Sequence, residues 1–252
     1  MIEKAFTINE NKCSIHCVLR SIEKQAVKRV ILCCHGFAGS KNSASVKKLA
    51  EKLLPSHKTA AVLSFDWPCH GEDRSPKLTL EGCDLYLRTV TDYIRSRWGE
   101  VPIDVNAVSF GAYLTLRYLR ECGDPFDKIL LRSPAIPMHA VLTGTLMDSG
   151  GLQLLQKTKT ALVGFDVKVR ITAGFVEELA AYDLMQKDFT PFADKLCIVH
   201  GTKDEIVPFA AVNTFAEKNG IPLLAVENAD HRFMDPSLFS RAVDAAELHY
   251  GI

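Results

Sequence analysis

Apolar residues follow two alternating rhythms along the chain. Short, mainly apolar runs occur at Val30-Ile31-Leu32-Cys33-Cys34, Ala60 to Phe65, Ile103 to Val108, Ile129-Leu130-Leu131, Leu196-Cys197-Ile198-Val199 and Leu223-Leu224-Ala225-Val226, the first of them continuous. Runs of this length predict strands covered on both faces, as in a parallel sheet. Between them, apolar positions recur at helical spacing. Val46, Leu49, Ala50, Leu53 and Leu54 form one such set, ended by Pro55. Cys83, Tyr86, Leu87, Val90 and Ile94 form another behind Thr79, a residue suited to cap a helix. Further helices are predicted over Ala112 to Leu119, from Pro208 to about Glu217, and over Pro236 to Leu248. Phe6 to Ile8 and Cys13 to Leu19 look like an antiparallel pair joined near Asn9-Glu10-Asn11. Strand–helix alternation of this kind predicts an α/β fold, a mostly parallel sheet with helices on both faces.

One stretch breaks the rhythm. From Ser133 to the predicted helix around Phe175 to Met185 the chain is too long for a plain connection. It holds Gly144, Gly150 and Gly151 among apolar Met138, Leu142, Leu146, Met147, Leu152 and Leu155. Val167, Val169 and Ile171 alternate with Lys168 and Arg170, the pattern of a short hairpin strand. We read residues 137–174 as a cap inserted over the mouth of a single domain spanning 1–252. A surface excursion without substrate contact is the alternative.

Composition narrows the partners. The chain is 47% hydrophobic and 24% charged, enough for one large core. Lys+Arg and Asp+Glu are both 30, so no basic surplus points to nucleic acid or to an anionic membrane surface. No apolar stretch is long enough to span a bilayer. Met1-Ile2-Glu3-Lys4 leads into polar residues rather than an apolar signal region, so a cytoplasmic protein with reduced thiols is expected. Of the eight cysteines, Cys33, Cys34 and Cys197 lie inside apolar runs. Cys13-Ser14-Ile15-His16-Cys17 invites a zinc reading, but no second ligand pair has suitable spacing. Cys13, Ile15 and Cys17 alternate as inward positions of a strand, so no metal is expected.

Three short segments carry chemistry. Ser109 ends an apolar run, with Ala107 two residues before it and Gly111 two after. Small residues there suit a tight strand-to-helix turn that lifts a serine above a sheet edge. Glycine is usual in both places, so Ala107 is a departure. Asp204 follows the later run Leu196 to Val199, with Glu205 beside it as a rival acid. His231 lies in a polar loop after the last strand. A serine hydroxyl becomes an effective nucleophile when a base takes its proton and a third group orients that base. The order Ser109, Asp204, His231 supplies one residue for each role. The oxyanion of an acyl intermediate requires backbone N–H donors. Phe110, directly after the serine, and Phe37, in the loop His35-Gly36-Phe37-Ala38-Gly39-Ser40-Lys41, are the candidates. Gly36 lets that loop fold sharply, and the Phe37 side chain would wall the substrate pocket. His35, His70 and His200 read as loop braces bonded to backbone carbonyls. Cys69 reads as an unreactive pocket wall.

Together these segments, with Phe65-Asp66-Trp67-Pro68-Cys69-His70-Gly71-Glu72, His200-Gly201-Thr202-Lys203-Asp204-Glu205-Ile206-Val207-Pro208 and Asp230-His231-Arg232-Phe233, make the chain resemble the α/β-hydrolase superfamily. Within it the chain is similar to serine esterases of the cinnamoyl/feruloyl esterase-like group. The resemblance implies an eight-stranded sheet with an insertion after the sixth strand. It implies Ser109 as nucleophile, His231 as base, Asp204 as its orienting acid, and substrate contacts at Gly36, Phe37 and Phe110. It also implies a small-molecule ester as substrate and no cofactor. A thioesterase or amidase with the same triad is the nearest alternative. Lys41, Lys157 and Lys159 would be its basic mouth. A non-catalytic binding protein on the same fold is the third.

Overall fold

In the computed structural model, which describes residues 1–252, the apolar runs become the strands of one eight-stranded sheet. β1 (Ile2–Glu10) and β2 (Cys13–Ser21) form an antiparallel hairpin. Its turn, Asn11-Lys12, has positive φ at both residues, the two-residue turn whose twist matches the flanking strands. β3 (Arg29–Cys34), β4 (Ala60–Phe65), β5 (Ile103–Val108), β6 (Ile129–Arg132), β9 (Leu196–Gly201) and β10 (Leu223–Val226) pair in parallel. The spatial order is β1-β2-β4-β3-β5-β6-β9-β10. The mostly parallel α/β sheet expected from the sequence is therefore the one observed.

Helices cover both faces, and β3 shows why. Val30, Leu32 and Cys34 enter one core, while Ile31 and Cys33 enter the other. The first core is closed by α2 (Leu80–Trp98), α3 (Phe110–Glu121) and α7 (Phe209–Asn219). The second is closed by α1 (Ala44–Leu53) and α8 (Pro236–Tyr250), with Lys52 of α1 donating to Ser240 Oγ (2.8 Å) and paired with Asp244 of α8. Thr79 caps α2 as its sequence suggests, its Oγ1 accepting from the Gly82 N–H at 3.0 Å. No helix is long and apolar enough to cross a membrane.

The insertion follows β6. It comprises α4 (Met138–Val141), a π-turn over Leu142–Leu146, α5 (Ser149–Thr158), and an antiparallel hairpin of β7 (Thr160–Val163) and β8 (Val169–Thr172). The second strand was legible in the sequence; α5 and β7 were not. Val167 sits in the hairpin turn instead of the strand. In that turn Gly164 has φ +124°, and a Cβ there would collide with the Val167 carbonyl. Met138, Leu142, Met147 and Leu155 are buried in the first core, so most of the segment's apolar content anchors it to the domain. The helix expected over Phe175 to Met185 is shorter, α6 (Ala173–Ala181), followed by a 3₁₀ turn at Leu184–Gln186. Asp183 accounts for the break, since its carboxylate accepts the Met185 N–H at 2.9 Å and offers the backbone a local alternative to the helix.

All eight cysteines are unpaired. Cys13 and Cys17 lie on β2, Cys17 fully buried. Every thiol is held above its ordinary value with burial as the first cause; Cys17 and Cys33 are pushed up to about 12 and Cys69 to about 11. The thiolate is the reactive form. At pH 7.5 the native protein should react with a thiol reagent at least about tenfold more slowly than the urea-unfolded chain. A native thiol titrating at the unfolded rate would contradict this.

Candidate active site

Ser109 stands at the sharp turn between β5 and α3 with φ +52°, a conformation costly for a residue with a Cβ. Its N–H donates to the Arg132 carbonyl at 3.0 Å. Its own carbonyl accepts from Ala112 (3.0 Å), Tyr113 (3.1 Å) and Ala135 (3.2 Å). Close packing explains the small flanks. A Cβ on Gly111 would collide with the Cys34 carbonyl, whereas Ala107 is fully buried without needing a glycine's freedom. A Cβ on Gly36 would meet the Ser109 Cβ at 3.3 Å, so the loop after β3 lies directly against the serine.

The structure brings Ser109, His231 and Asp204 together. His231 Nε2 lies 3.0 Å from Ser109 Oγ. His231 Nδ1 lies 2.8 Å from Asp204 Oδ2 and 3.0 Å from Oδ1. Asp204 Oδ1 also accepts the N–H groups of Ile206 (2.9 Å) and Val207 (2.7 Å). Burial works to raise this carboxyl, but the hydrogen bond and charge of His231 and the Val207 N–H together hold it below its ordinary value. An ionised Asp204 accepting from Nδ1–H leaves Nε2 free to take a proton from the Ser109 hydroxyl. Glu205, the rival acid, instead accepts the backbone N–H of His231 at 3.2 Å. The far side of that loop is held by Ser133 Oγ donating to the His231 carbonyl (3.0 Å) and Arg132 Nη1 donating to the Arg232 carbonyl (3.1 Å).

Phe37 and Phe110 flank the serine. Phe110 is the first residue of α3, so its N–H has no intrahelical partner. The Phe37 N–H, in a loop, donates to no protein acceptor. Gly36, Phe37, Ser109 and His231 line one cavity of about 420 Å³. The Phe110 ring is fully buried and lies outside that lining; it packs edge-on against Phe37, with centroids 5.6 Å apart. The inserted segment contributes Leu146 and the hairpin turn from Gly164 to Val167 to the same cavity. Arg232 reaches toward that turn, 4.0 Å from Asp166 and over the Phe165 ring. Arg132, Lys48, Met234 and Phe239, which no sequence motif marks, also line the cavity, as does Phe233 from the His231 segment. For Arg132 a signal existed, a cation closing the otherwise apolar strand Ile129-Leu130-Leu131-Arg132.

His35, His70 and His200, the last on β9, brace the surroundings. His35 Nδ1 donates to the Gly36 carbonyl (2.8 Å) while its Nε2 accepts from the Trp67 N–H (3.2 Å), which fixes a neutral tautomer. His70 Nδ1 donates to the Pro68 carbonyl (2.8 Å), and His200 Nε2 to the Val207 carbonyl (3.0 Å). Asp66, fully buried, joins the loops after β3 and β4. Its carboxylate accepts from the Lys41 N–H (2.7 Å), the Lys41 ammonium (3.0 Å) and the Glu72 N–H (3.0 Å). Lys41 is thus buried in an ion pair, and neither it nor Lys157 or Lys159 lines the cavity, whose cations are Lys48, Arg132 and Arg232.

Residues 29–187 match the family model of the alpha/beta hydrolase fold. No curated protein matches the chain in sequence. Among solved structures, Est1E from Butyrivibrio proteoclasticus with ferulic acid bound is similar at 19% identity and TM-score 0.76, over 98% of this chain and 100% of that one. An a/b serine hydrolase without lid from Xanthomonas campestris is similar at 18% identity and TM-score 0.65, over 98% and 93%. Alpha/beta hydrolase domain-containing protein 10 from mouse is similar at 14% identity and TM-score 0.68, over 97% of each chain. At these identities the shared feature is the fold.

The buried imidazoles set a pH dependence. Burial lowers His35 to about 4 and His70 to about 3, and also lowers His200 and His249. Below about pH 6.5 the unfolded chain takes up protons that the folded imidazoles refuse, so stability is complete above 6.5 and falls as pH drops. Asp104, raised by burial to about 6, and Asp84, also raised by burial, oppose this with two protons against four. The melting temperature should therefore decline between pH 6.5 and 5, and His70→Gln should flatten the slope. A melting temperature constant across that window would contradict the assignment.

Proposed function

The chain belongs to the alpha/beta hydrolase fold family, and we propose that it is a serine hydrolase cleaving carboxylic esters of small to medium acyl or aromatic groups. The observation carrying this is the continuous hydrogen-bonded relay Asp204–His231–Ser109 opening into a cavity beside two unpartnered amides. In the proposed mechanism Ser109 Oγ attacks the ester carbonyl while His231 Nε2 takes its proton. The Phe37 and Phe110 N–H groups receive the oxyanion, whose charge is also favoured by the N-terminus of α3. His231 returns the proton to the leaving alcohol, then activates water to release the acid from Ser109. Asp204 keeps Nδ1 protonated and stabilises the imidazolium. The segment of residues 137–174 acts as a small cap, with the turn from Gly164 to Val167 at the cavity rim.

Est1E, with ferulic acid bound, supports an aromatic or medium-sized ester as substrate. The thioesterase alternative loses a basis with Lys41 sequestered against Asp66. A purely binding role leaves the complete relay without a purpose.

Ser109→Ala should lower ester turnover by about 10⁴-fold or more with the melting temperature retained. A fluorophosphonate should label the wild type at Ser109 and leave the variant unlabelled. Asp204→Asn should cost about 10⁴-fold in kcat, and Glu205→Gln far less, because Glu205 holds backbone rather than the ring. A Ser109→Ala protein with full esterase activity would overturn the proposal.

A further inference from the structure

Arg132 is the last residue of β6 and is only 5% exposed. Alternation along the strand points its side chain to the face of α1 and α8, where it stacks on the rings of Phe233 (5.4 Å) and Phe239 (5.6 Å). No carboxylate lies within 4.0 Å of it. Its one hydrogen bond runs from Nη1 to the Arg232 carbonyl at 3.1 Å. A guanidinium has five N–H donors, and the others of Arg132 meet no protein acceptor. A buried, unpaired cation carries a large desolvation penalty, a costly residue to keep where a leucine would pack. Burial, opposed by the charges of Asp230 and Asp204, lowers it only to about 10, so it remains a cation at neutral pH.

Arg132 lines the same cavity as Ser109 and His231. Beside it lies the first turn of α1, where Ser43, Ala44 and Ser45 reach the cavity and Lys48 lies over the Phe239 ring. The Ser43 side chain caps no N–H there, that turn holds no acidic residue, and the Ala44 and Ser45 amides have no protein acceptor. A helix N-terminus with free amides favours an anion. The nearby acids are otherwise engaged. Asp204 holds His231, Asp230 accepts from the Met234 N–H, and Asp166 is at the exposed rim facing Arg232.

We propose that the substrate carries an anionic oxygen group, a carboxylate or a phosphate, which Arg132 and the first turn of α1 receive while Ser109 attacks the ester. This deepens the serine hydrolase reading and rests on it. Arg132 thereby becomes a specificity-determining residue as well as an anchor of the His231 loop.

Two matched ester pairs test it, with the anion placed on either side of the scissile bond. One pair is mono-p-nitrophenyl glutarate against p-nitrophenyl pentanoate; the other is 4-acetoxybenzoate against phenyl acetate. In at least one pair the wild type should prefer the anionic ester by about tenfold or more in kcat/KM, as expected for one charged hydrogen-bond contact. Arg132→Met should cut that ratio by about tenfold, and Arg132→Lys should restore part of it. Should Arg132→Met fail to fold, the wild-type ratios and Arg132→Lys still decide the matter. No anionic preference in either pair, or an equal loss for both members of a pair, would overturn the proposal and leave Arg132 an anchor alone. Calorimetry on the Ser109→Ala protein separates this from the catalytic reading. Monomethyl glutarate or inorganic phosphate should bind where neutral dimethyl glutarate does not, and which anion binds identifies the group. Anion binding without turnover of any ester would overturn the esterase reading, and this proposal with it, leaving an anion site at Arg132; turnover of neutral esters without anion binding would overturn this proposal alone.

Discussion

The backbone of Ser109 is the constraint on which the site depends. A positive φ at a residue with a side chain costs about 1–3 kcal/mol. The turn persists because its neighbours hold it from several sides. The N–H of Ser109 is bound to the end of β6, its carbonyl serves α3 and Ala135, and Gly111 presses on the backbone after β3. Phe110, Ala112 and Tyr113 follow immediately and are buried. Each large apolar side chain buried contributes roughly 1.5–3 kcal/mol, so two of them already outweigh the strain. The geometry that exposes Oγ is thus a by-product of driving the start of α3 into the core.

The same logic extends to the loops around the serine. Asp66 is a buried charge, tolerable because Lys41 and two backbone N–H groups meet its oxygens. Gly71 lies where any Cβ would collide with that carboxylate. His35 ties the loop of Phe37 to Trp67. Side chains that look chemically active in sequence, Lys41, Asp66, His35 and His70, are consumed in shaping the backbone that presents the Phe37 amide. On the opposite side, β6 supplies both the acceptor for Ser109 and, through Arg132 and Ser133, the donors that fasten the His231 loop. One strand end therefore registers the Ser109 hydroxyl and the His231 imidazole against each other.

The inserted segment divides its residues between two tasks. Its apolar side chains chiefly join the core, and only its hairpin turn and Leu146 reach the cavity. The cavity wall is thereby mixed, with aromatic rings from Phe37, Phe165, Phe233 and Phe239 and cations from Lys48, Arg132 and Arg232. A reading based on the apolar content of the segment alone points to a greasy pocket; the packing gives a pocket with charge at its α1 end.

Much of this was legible in the chain. Mainly apolar runs specified the parallel strands because a strand buried on both faces has few polar positions, and β4, β5 and β10 begin and end where their runs do, despite Ser64 in β4 and Asp104 and Asn106 in β5. The elbow at Ser109 was readable from small flanks, since sterics act over two residues. Asp204 and Glu205 were not separable by spacing. Their roles depend on which side chain turns toward an imidazole 27 residues away, and only the folded loop decides it. α5 and β7 escaped because α5 buries only Leu155, and β7 alternates over just four residues with Leu162 outward, too short a pattern to stand out. Arg132 was visible as a charge ending an apolar strand, yet its want of a carboxylate partner is a property of the space around it. Local sequence determined the strands, the turn and the residue types available for chemistry, because those follow from short-range sterics and burial. Tertiary structure alone decided which of those residues meet, because distance and solvent exclusion arise only when remote segments pack.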